Sequence, residues 1–279
     1  MYKRQERDLT LPEPGISSTS LAFDPGLRIR FDTSAMDFAY GDGLFGPRPE
    51  YRRLDAIRES LRDPNCNGPE TVYAIAMDVG RVGDLAELKR RMLLFGIVMY
   101  AGGRLGDEPV RSQGHVHAVS PHSGWRAPEL FEIWEGRAIV YGQEKSGDDP
   151  GRCIAVEAGP RNKVVIPPGW AHFVVNADPN STLIFGAWCD RQYGFDYVQM
   201  RAHHGLAWFP LIDTDGAIRW EANPNYMASK LQPRKARVYT ELGLSSATPI
   251  YEYLHCAPEA IQWVSDPARF SQLWPEFEP

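Results

Sequence analysis

The stretch QGHVHAVSPHSGWRAPELFEIWEG, running from Gln113 to Gly136, holds three of the chain's seven histidines and three glutamates. Two of the histidines, His115 and His117, are two residues apart. On a β-strand such a pair projects to one face, an arrangement that suits a divalent metal. In a loop it would be local polarity and no more. The residues on either side decide between the two.

Outward from this stretch, the chain from Phe95 to Ala222 is a succession of short β-type runs. They read FGIVMYA, PELFEIW, RAIVYGQ, RCIAVEA, NKVVIPP, HFVVNA, STLIFGAW, FDYVQM, AWFPLI and AIRWEA, punctuated by Gly, Pro, Asn and Asp. Many short strands at this spacing predict an all-β sandwich or barrel. The gaps leave no room for the crossover helices of a parallel α/β sheet. Upstream, PRPEYRRLDAIRESLRDPN places Leu54, Ile57, Arg58 and Leu61 on one helical face, with Asp63-Pro64 as the stop. TVYAIAMDV is expected to be a strand. GDLAELKRRMLLF is expected to form a short helix, with Asp84 as N-cap and Glu87 completing a capping box. The last segment, from Ser246, is expected to be a strand or loop and then two short helices, with Pro258 and Pro267 in first turns. The domain reading is therefore an arm over residues 1–46, a β domain with leading helices over 47–222, and an extension over 223–279 packed on it.

Hydrophobic residues make up 43% of the 279, enough for a sizeable core. The net charge of −6 gives no general reason to expect nucleic acid. The arginine clusters in YRRLDAIR and LQPRKARV are the size of a solvated face or loop. Cys66, Cys153, Cys189 and Cys256 are widely spaced with no Cys-x-x-Cys pair, which argues against a cysteine zinc site. MYKRQERDLTLPEPG has no apolar stretch of the signal-peptide kind, and no run approaches the ~18 apolar residues of a membrane helix. A cytoplasmic chain with reduced thiols and no membrane partner is the expectation.

The His pair has companions. Glu129 opens the run PELFEIW and is followed by six residues and then Gly136; His172 follows Pro167-Pro168-Gly169 and precedes Asn176 by four. Three imidazoles and one carboxylate on neighbouring strands suit iron, manganese, nickel or zinc better than calcium or magnesium. The whole constellation resembles the two-part cupin signature: Gly, His-x-His, a spacer, Glu-x6-Gly, then Pro-x-Gly, His and Asn. The spacer, the eleven residues Ala118 to Pro128, is longer than in most cupins and reads as an inserted loop.

The resemblance extends beyond the superfamily. GDEPVRSQGHVHAVSP, PELFEIWEGRAIV and GPRNKVVIPPGWAHFVVNADPNSTLIFGAWCDRQYGFDY are similar to the cupin-type glucose-6-phosphate isomerases of archaea and some bacteria, over roughly residues 50–200. The resemblance implies a jelly-roll sandwich with helical and irregular additions at both ends. It implies His115, His117, Glu129 and His172 as ligands of one divalent metal per chain, with iron foremost and Mn, Ni or Zn as alternatives. It places Ser112 and Gly114, with Arg111 beside them, against the phosphate of a sugar substrate. Some positions depart from the family: Val98 stands for a threonine, Phe131 for a tyrosine and Phe195 for a histidine, and Trp188 lies near another expected tyrosine.

Such a site suits aldose–ketose isomerisation, the metal acting as a Lewis acid on the carbonyl. Glu129 is then ligand, proton shuttle between C1 and C2, or both, and a hydride shift is the rival route. Two other classes stay open: a cupin dioxygenase with the same three-His, one-Glu shell, and a non-catalytic sugar-binding cupin. Open sheet edges predict a homodimer. Glu132, three residues past Glu129, is expected to face away from the site, solvated or paired with an arginine. His122 falls in the spacer, and His203-His204 in a turn. Trp134, Trp170 and Trp188 are expected to fill core, and Gly102-Gly103 to make a turn.

Overall fold

The structure, a computed structural model, describes residue 21 and residues 23–279. The other residues of the expected N-terminal arm, 1–20 and 22, lie outside them. The strands that build and flank the site are, in chain order, β1 (Glu50–Arg53), β2 (Thr71–Met77), β3 (Leu93–Tyr100), β4 (Val116–His117), β5 (Glu129–Glu135), β6 (Ala138–Gln143), β7 (Cys153–Ala158), β8 (Lys163–Ile166), β9 (Ala171–Asn176), β10 (Leu183–Asp190), β11 (Phe195–Asp196) and β12 (Leu231–Lys235). Six of them make one sheet in the order β8-β5-β10-β3-β2-β1, and four make a second in the order β9-β6-β7-β12. The two form a jelly-roll β-sandwich. Every pairing in them is antiparallel except β7 with β12, which are parallel and separated by a long connection.

Alternation along each strand sorts the side chains into three layers. Val98, Phe131, Ile133, Phe185, Val140, Val156 and Val174 fill the space between the sheets. On the far face of the six-stranded sheet, Phe95, Leu130, Trp134 and Trp188 meet Tyr239, Tyr251, Trp263 and Phe277 from the C-terminal segment. On the far face of the four-stranded sheet, Tyr141, Phe173 and Val175 meet Met200, Leu206 and Tyr226. Both faces of both sheets are thus covered, which is why β3, β10 and β9 are buried at every position. The described part of the arm, with its hairpin Ile29–Asp32/Asp37–Tyr40, buries Phe31 and Phe38 on the same core as Trp134.

Four local expectations change. No α-helix forms over 47–65. Glu50 to Arg52 instead pair with Ile75 to Tyr73 as the edge strand β1, and two 3₁₀ turns follow, Leu54–Ala56 and Arg58–Ser60. Leu54, Ile57 and Leu61 are buried as expected, but by turns that bring every third residue to one side. The run FDYVQM is a strand only at Phe195–Asp196; Val198–Ala202 is a short helix. The helix α1 (Leu85–Arg90) forms, but without the capping box. The Asp84 carboxylate takes Tyr251 Oη at 2.9 Å and His255 Nε2 at 3.0 Å instead, while Glu87 pairs with Arg90 and Arg91. The C-terminal segment is a chain of 3₁₀ turns with one short helix, Tyr253–Cys256, and Pro258 and Pro267 do sit in first turns.

Candidate metal centre

The centre forms at one end of the space between the sheets. β4 pairs with β11 through Val116–Asp196 and His117–Phe195, and His115 bridges His172 through reciprocal backbone bonds of 3.0 and 2.9 Å. His172 lies opposite Gly142 in the four-stranded sheet, and Glu129 opens β5 opposite Ile166 in the six-stranded one. Two sheets therefore contribute to one cluster. The ligand atoms of His115, His117, Glu129 and His172 all lie within 4.8 Å of one another, and such a group could hold a metal ion.

Hydrogen bonding fits a cation there. His117 Nδ1 lies 2.7 Å from the Ala127 carbonyl and His172 Nδ1 3.2 Å from that of Trp170. A carbonyl only accepts, so each Nδ1 carries the proton and each Nε2 offers a lone pair. Those two Nε2 atoms face Glu129 Oε2 at 3.4 and 3.0 Å. Acceptors so placed are held together by a proton or by a metal. His115 Nε2 and His117 Nε2 are also buried with no hydrogen-bond partner, a costly state that a metal ligand avoids. Burial, with His172 and His117 beside it, pushes His115 well below the ordinary histidine value, so it is neutral and able to ligate. Burial acts on His117 in the same direction, but Glu129 and the Ala127 carbonyl outweigh it and raise His117. Burial alone would raise Glu129; the His117 and His172 imidazoles beside it hold it well below the usual carboxylate range.

The second oxygen of Glu129 has a different partner. Cys189 donates its thiol proton to Glu129 Oε1 at 3.1 Å. Leu130 pairs with Trp188, so Glu129 and Cys189 are the next pair along. Alternation then puts Phe185, Ala187 and Cys189 on the site face, and Trp188 on the other, where its indole donates to the Ile250 carbonyl at 2.8 Å. Trp188 is thus core, and Cys189 is the residue the sequence reading missed; counting by twos along STLIFGAWCD would have found it. Burial and the neighbouring carboxylate push the Cys189 thiol well above its ordinary value.

Glu132 faces away from the cluster as expected, but not into solvent. It is 1% exposed, with Lys163 Nζ at 3.2 Å, the Trp134 indole at 3.2 Å and the Ile250 amide at 3.3 Å. The C-terminal segment covers that face, so a lysine from the adjacent strand replaces the expected arginine or water. Arg111 also departs from expectation. It is fully buried and its donors are taken by Glu108, Ser112 and Ser60 carbonyls and carboxylate at 2.6–3.0 Å, over the Phe173 ring. It braces the loop before the site.

Ser112 is half-buried, and its Oγ accepts the Val174 amide at 3.3 Å; the buried Tyr100 phenol hydrogen-bonds with it. Tyr73 stacks on Tyr100 at 5.0 Å. Gly114 takes φ +87°, and a Cβ there would sit 3.2 Å from Leu206, so glycine is needed to lead the chain into His115. Val98 and Phe131 lie in the apolar wall between the sheets. Phe195 packs edge-on to His115 at 4.4 Å and separates the cluster from an open cleft of ≈ 430 Å³, which Phe195, Tyr197, Arg126 and Arg201 help to line. The spacer is a tight hairpin, with Val119 bridging Arg126 and the Ser120 amide on the Trp125 carbonyl at 2.8 Å. Arg126 ties it to the site through the His117 carbonyl at 2.7 Å and Asp196 at 3.5 Å. His122 is exposed on this hairpin, outside the cluster. His203 lies at the end of the Val198–Ala202 helix, bonded to Asp148 and stacked on Tyr226.

The chain is similar in sequence to known proteins. The chain is 25% identical over 213 residues to a Rhizobium meliloti protein that carries a provisional glucose-6-phosphate isomerase name, an alignment covering 73% of this chain and 88% of that one. It is 27% identical over 140 residues to the glucose-6-phosphate isomerase of Thermococcus kodakarensis, covering 50% and 68%. Among solved structures, a recombinant oxalate oxidase in complex with glycolate aligns with a TM-score of 0.34 and 19% identity, over 46% of this chain and 55% of that one. The model of the glucose-6-phosphate isomerase (GPI) family matches residues 56–228, a span that contains all four clustered residues and the strands β2 to β11, and the chain belongs to that family.

Proposed function

We propose that this chain is an aldose–ketose isomerase that interconverts glucose 6-phosphate and fructose 6-phosphate. The observation that carries the reading is the convergence of three imidazoles and one carboxylate within 4.8 Å, in a chain of the GPI family. His115, His117, Glu129 and His172 are the residues that would hold a divalent ion, iron foremost with manganese, nickel or zinc as alternatives; when bound, it supplies Lewis-acid polarisation of the sugar carbonyl. The protein's own groups supply the rest. Glu129 takes the proton from C2 and returns it at C1 through a cis-enediol; it is the carboxylate at the cluster, since Glu132 is turned to the opposite face. Phe131 and Phe195 keep water from the reacting carbons. The Ser112 hydroxyl and the Gly114 amide are on the side proposed for the phosphate.

The test is anaerobic conversion of glucose 6-phosphate by metal-free and metal-restored protein. Conversion should appear only on restoration, with elemental analysis naming the metal retained on purification. No conversion by the restored protein, or oxygen uptake in its place, would overturn the reading. We also propose a homodimer in the cytoplasm. β12 ends the four-stranded sheet among the described residues, and an edge strand favours pairing. No described helix is long and apolar enough to cross a membrane. Light scattering that returns the 31.4 kDa monomer mass, or recovery in a membrane or secreted fraction, would refute the corresponding half.

A further inference from the structure

We propose that Cys189 is a positioning residue for Glu129: its thiol holds one carboxylate oxygen so that the other alone is presented to the imidazoles. The two oxygens have separate surroundings. Oε1 accepts the Cys189 thiol at 3.1 Å, and Oε2 faces His172 Nε2 at 3.0 Å and His117 Nε2 at 3.4 Å. Rotation about the last bond of a glutamate is soft, so without a partner on Oε1 the carboxylate could swing and present both oxygens. The neighbours on the same strand face are Phe185 and Ala187, and across from them lies Phe131, none of which can donate a proton. Cys189 is fully buried and forms no disulfide. A thiol suits this place because it packs as a small apolar group against that wall while still offering a weak donor.

The role rests on the reading of the cluster as a metal site, and the experiment keeps the two apart. Cys189→Ser retains a donor, and Cys189→Val retains approximate volume without one. Cys189→Ala, which cannot overpack, is carried beside the valine variant in case that chain does not fold. Each is titrated with Co²⁺, reading affinity and the visible absorption bands of the bound ion, with no dependence on turnover. Partners that orient a metal-binding side chain typically contribute about 10–100-fold in affinity. Cys189→Val and Cys189→Ala should therefore bind Co²⁺ about 10–100-fold more weakly than the parent, with displaced bands, and Cys189→Ser should recover most of the loss with bands at the parental positions. Parental affinity and bands in the valine and alanine variants would overturn the role. So would a serine variant as impaired as valine, because the effect would then be packing. A parent chain that binds no Co²⁺ would overturn the metal reading itself, and the role of Cys189 with it.

Discussion

At the scale of single residues, the cluster assigns unequal work to its members. Glu129 is shared: Oε2 faces the imidazoles and Oε1 takes the thiol. Three imidazoles can retain a divalent ion without it, at lower affinity. Glu129→Gln, loaded with metal and normalised to metal bound, is expected to lose ~10²–10⁴-fold of its isomerase turnover, the usual contribution of a general base. Steady-state assays at saturating glucose 6-phosphate check this. Near-parental turnover would favour the hydride-shift route instead. The four clustered residues were legible in the sequence because together they complete a signature that resembles the cupin one: His-x-His projects one way, and Glu129 and His172 stand where that resemblance puts the other ligands. Cys189 was legible but overlooked, and the burial of Glu132 was not legible. The first needs the parity of β10, and the second needs the C-terminal segment, which no local pattern places over β5.

At the scale of elements, the strands were legible and the helices less so. A run of six to eight apolar residues flanked by turn formers reads as a buried strand, and β3, β6 and β10 follow that rule. Leu54, Ile57 and Leu61 misled because spacings of three and four are shared by an α-helix and by successive 3₁₀ turns. The edge pairing of Glu50–Arg53 with β2 and the Leu54 amide bond to the Glu70 carbonyl at 2.9 Å settle the contest. In α1 the capping box lost to competing partners, and that loss has a measurable sign. Glu87, held by Arg90 and then Arg91, has its pKa lowered from 4.5 to about 2. Its contribution is complete above pH 4.5 and is lost as pH falls through about 2. Glu87→Gln should therefore lower stability at pH 7, by less than about 1 kcal/mol because the carboxylate is well exposed and screened. Urea midpoints of parent and variant should converge between pH 4.5 and pH 2. A gap that stays constant over that range would show that the ion pairs contribute nothing.

At the scale of the whole molecule, one centre links both sheets. His172 comes from the four-stranded sheet, Glu129 from the six-stranded one, and His115 and His117 from the segment between them. An ion bound by all four ties these pieces together in the folded state alone. At a free concentration of about 100 times Kd, such linkage contributes about 2.7 kcal/mol. Removal of metal by a chelator should lower Tm by several degrees, and stoichiometric metal should restore it. An unchanged Tm in scanning calorimetry would mean that the ion does not bridge the sheets. The all-β sandwich was legible from strand spacing, whereas the double covering of its sheets was not, since residues 239–277 carry no strand or long-helix pattern to announce their place.

That covering has a consequence for synthesis of the chain. Phe95, Trp134 and Trp188 acquire Tyr239, Tyr251, Trp263 and Phe277 as neighbours only after the C-terminal segment has been made. Until then, a nascent chain that has already assembled its six-stranded sheet displays an aromatic face that the N-terminal hairpin covers only in part. The buried Lys163–Glu132 pair is open to water over the same interval. Contacts this distant in sequence close slowly, and uncovered faces attract other chains. The protein therefore passes through a sticky, half-clad stage on the ribosome, and release with its last segment unmade would leave it there.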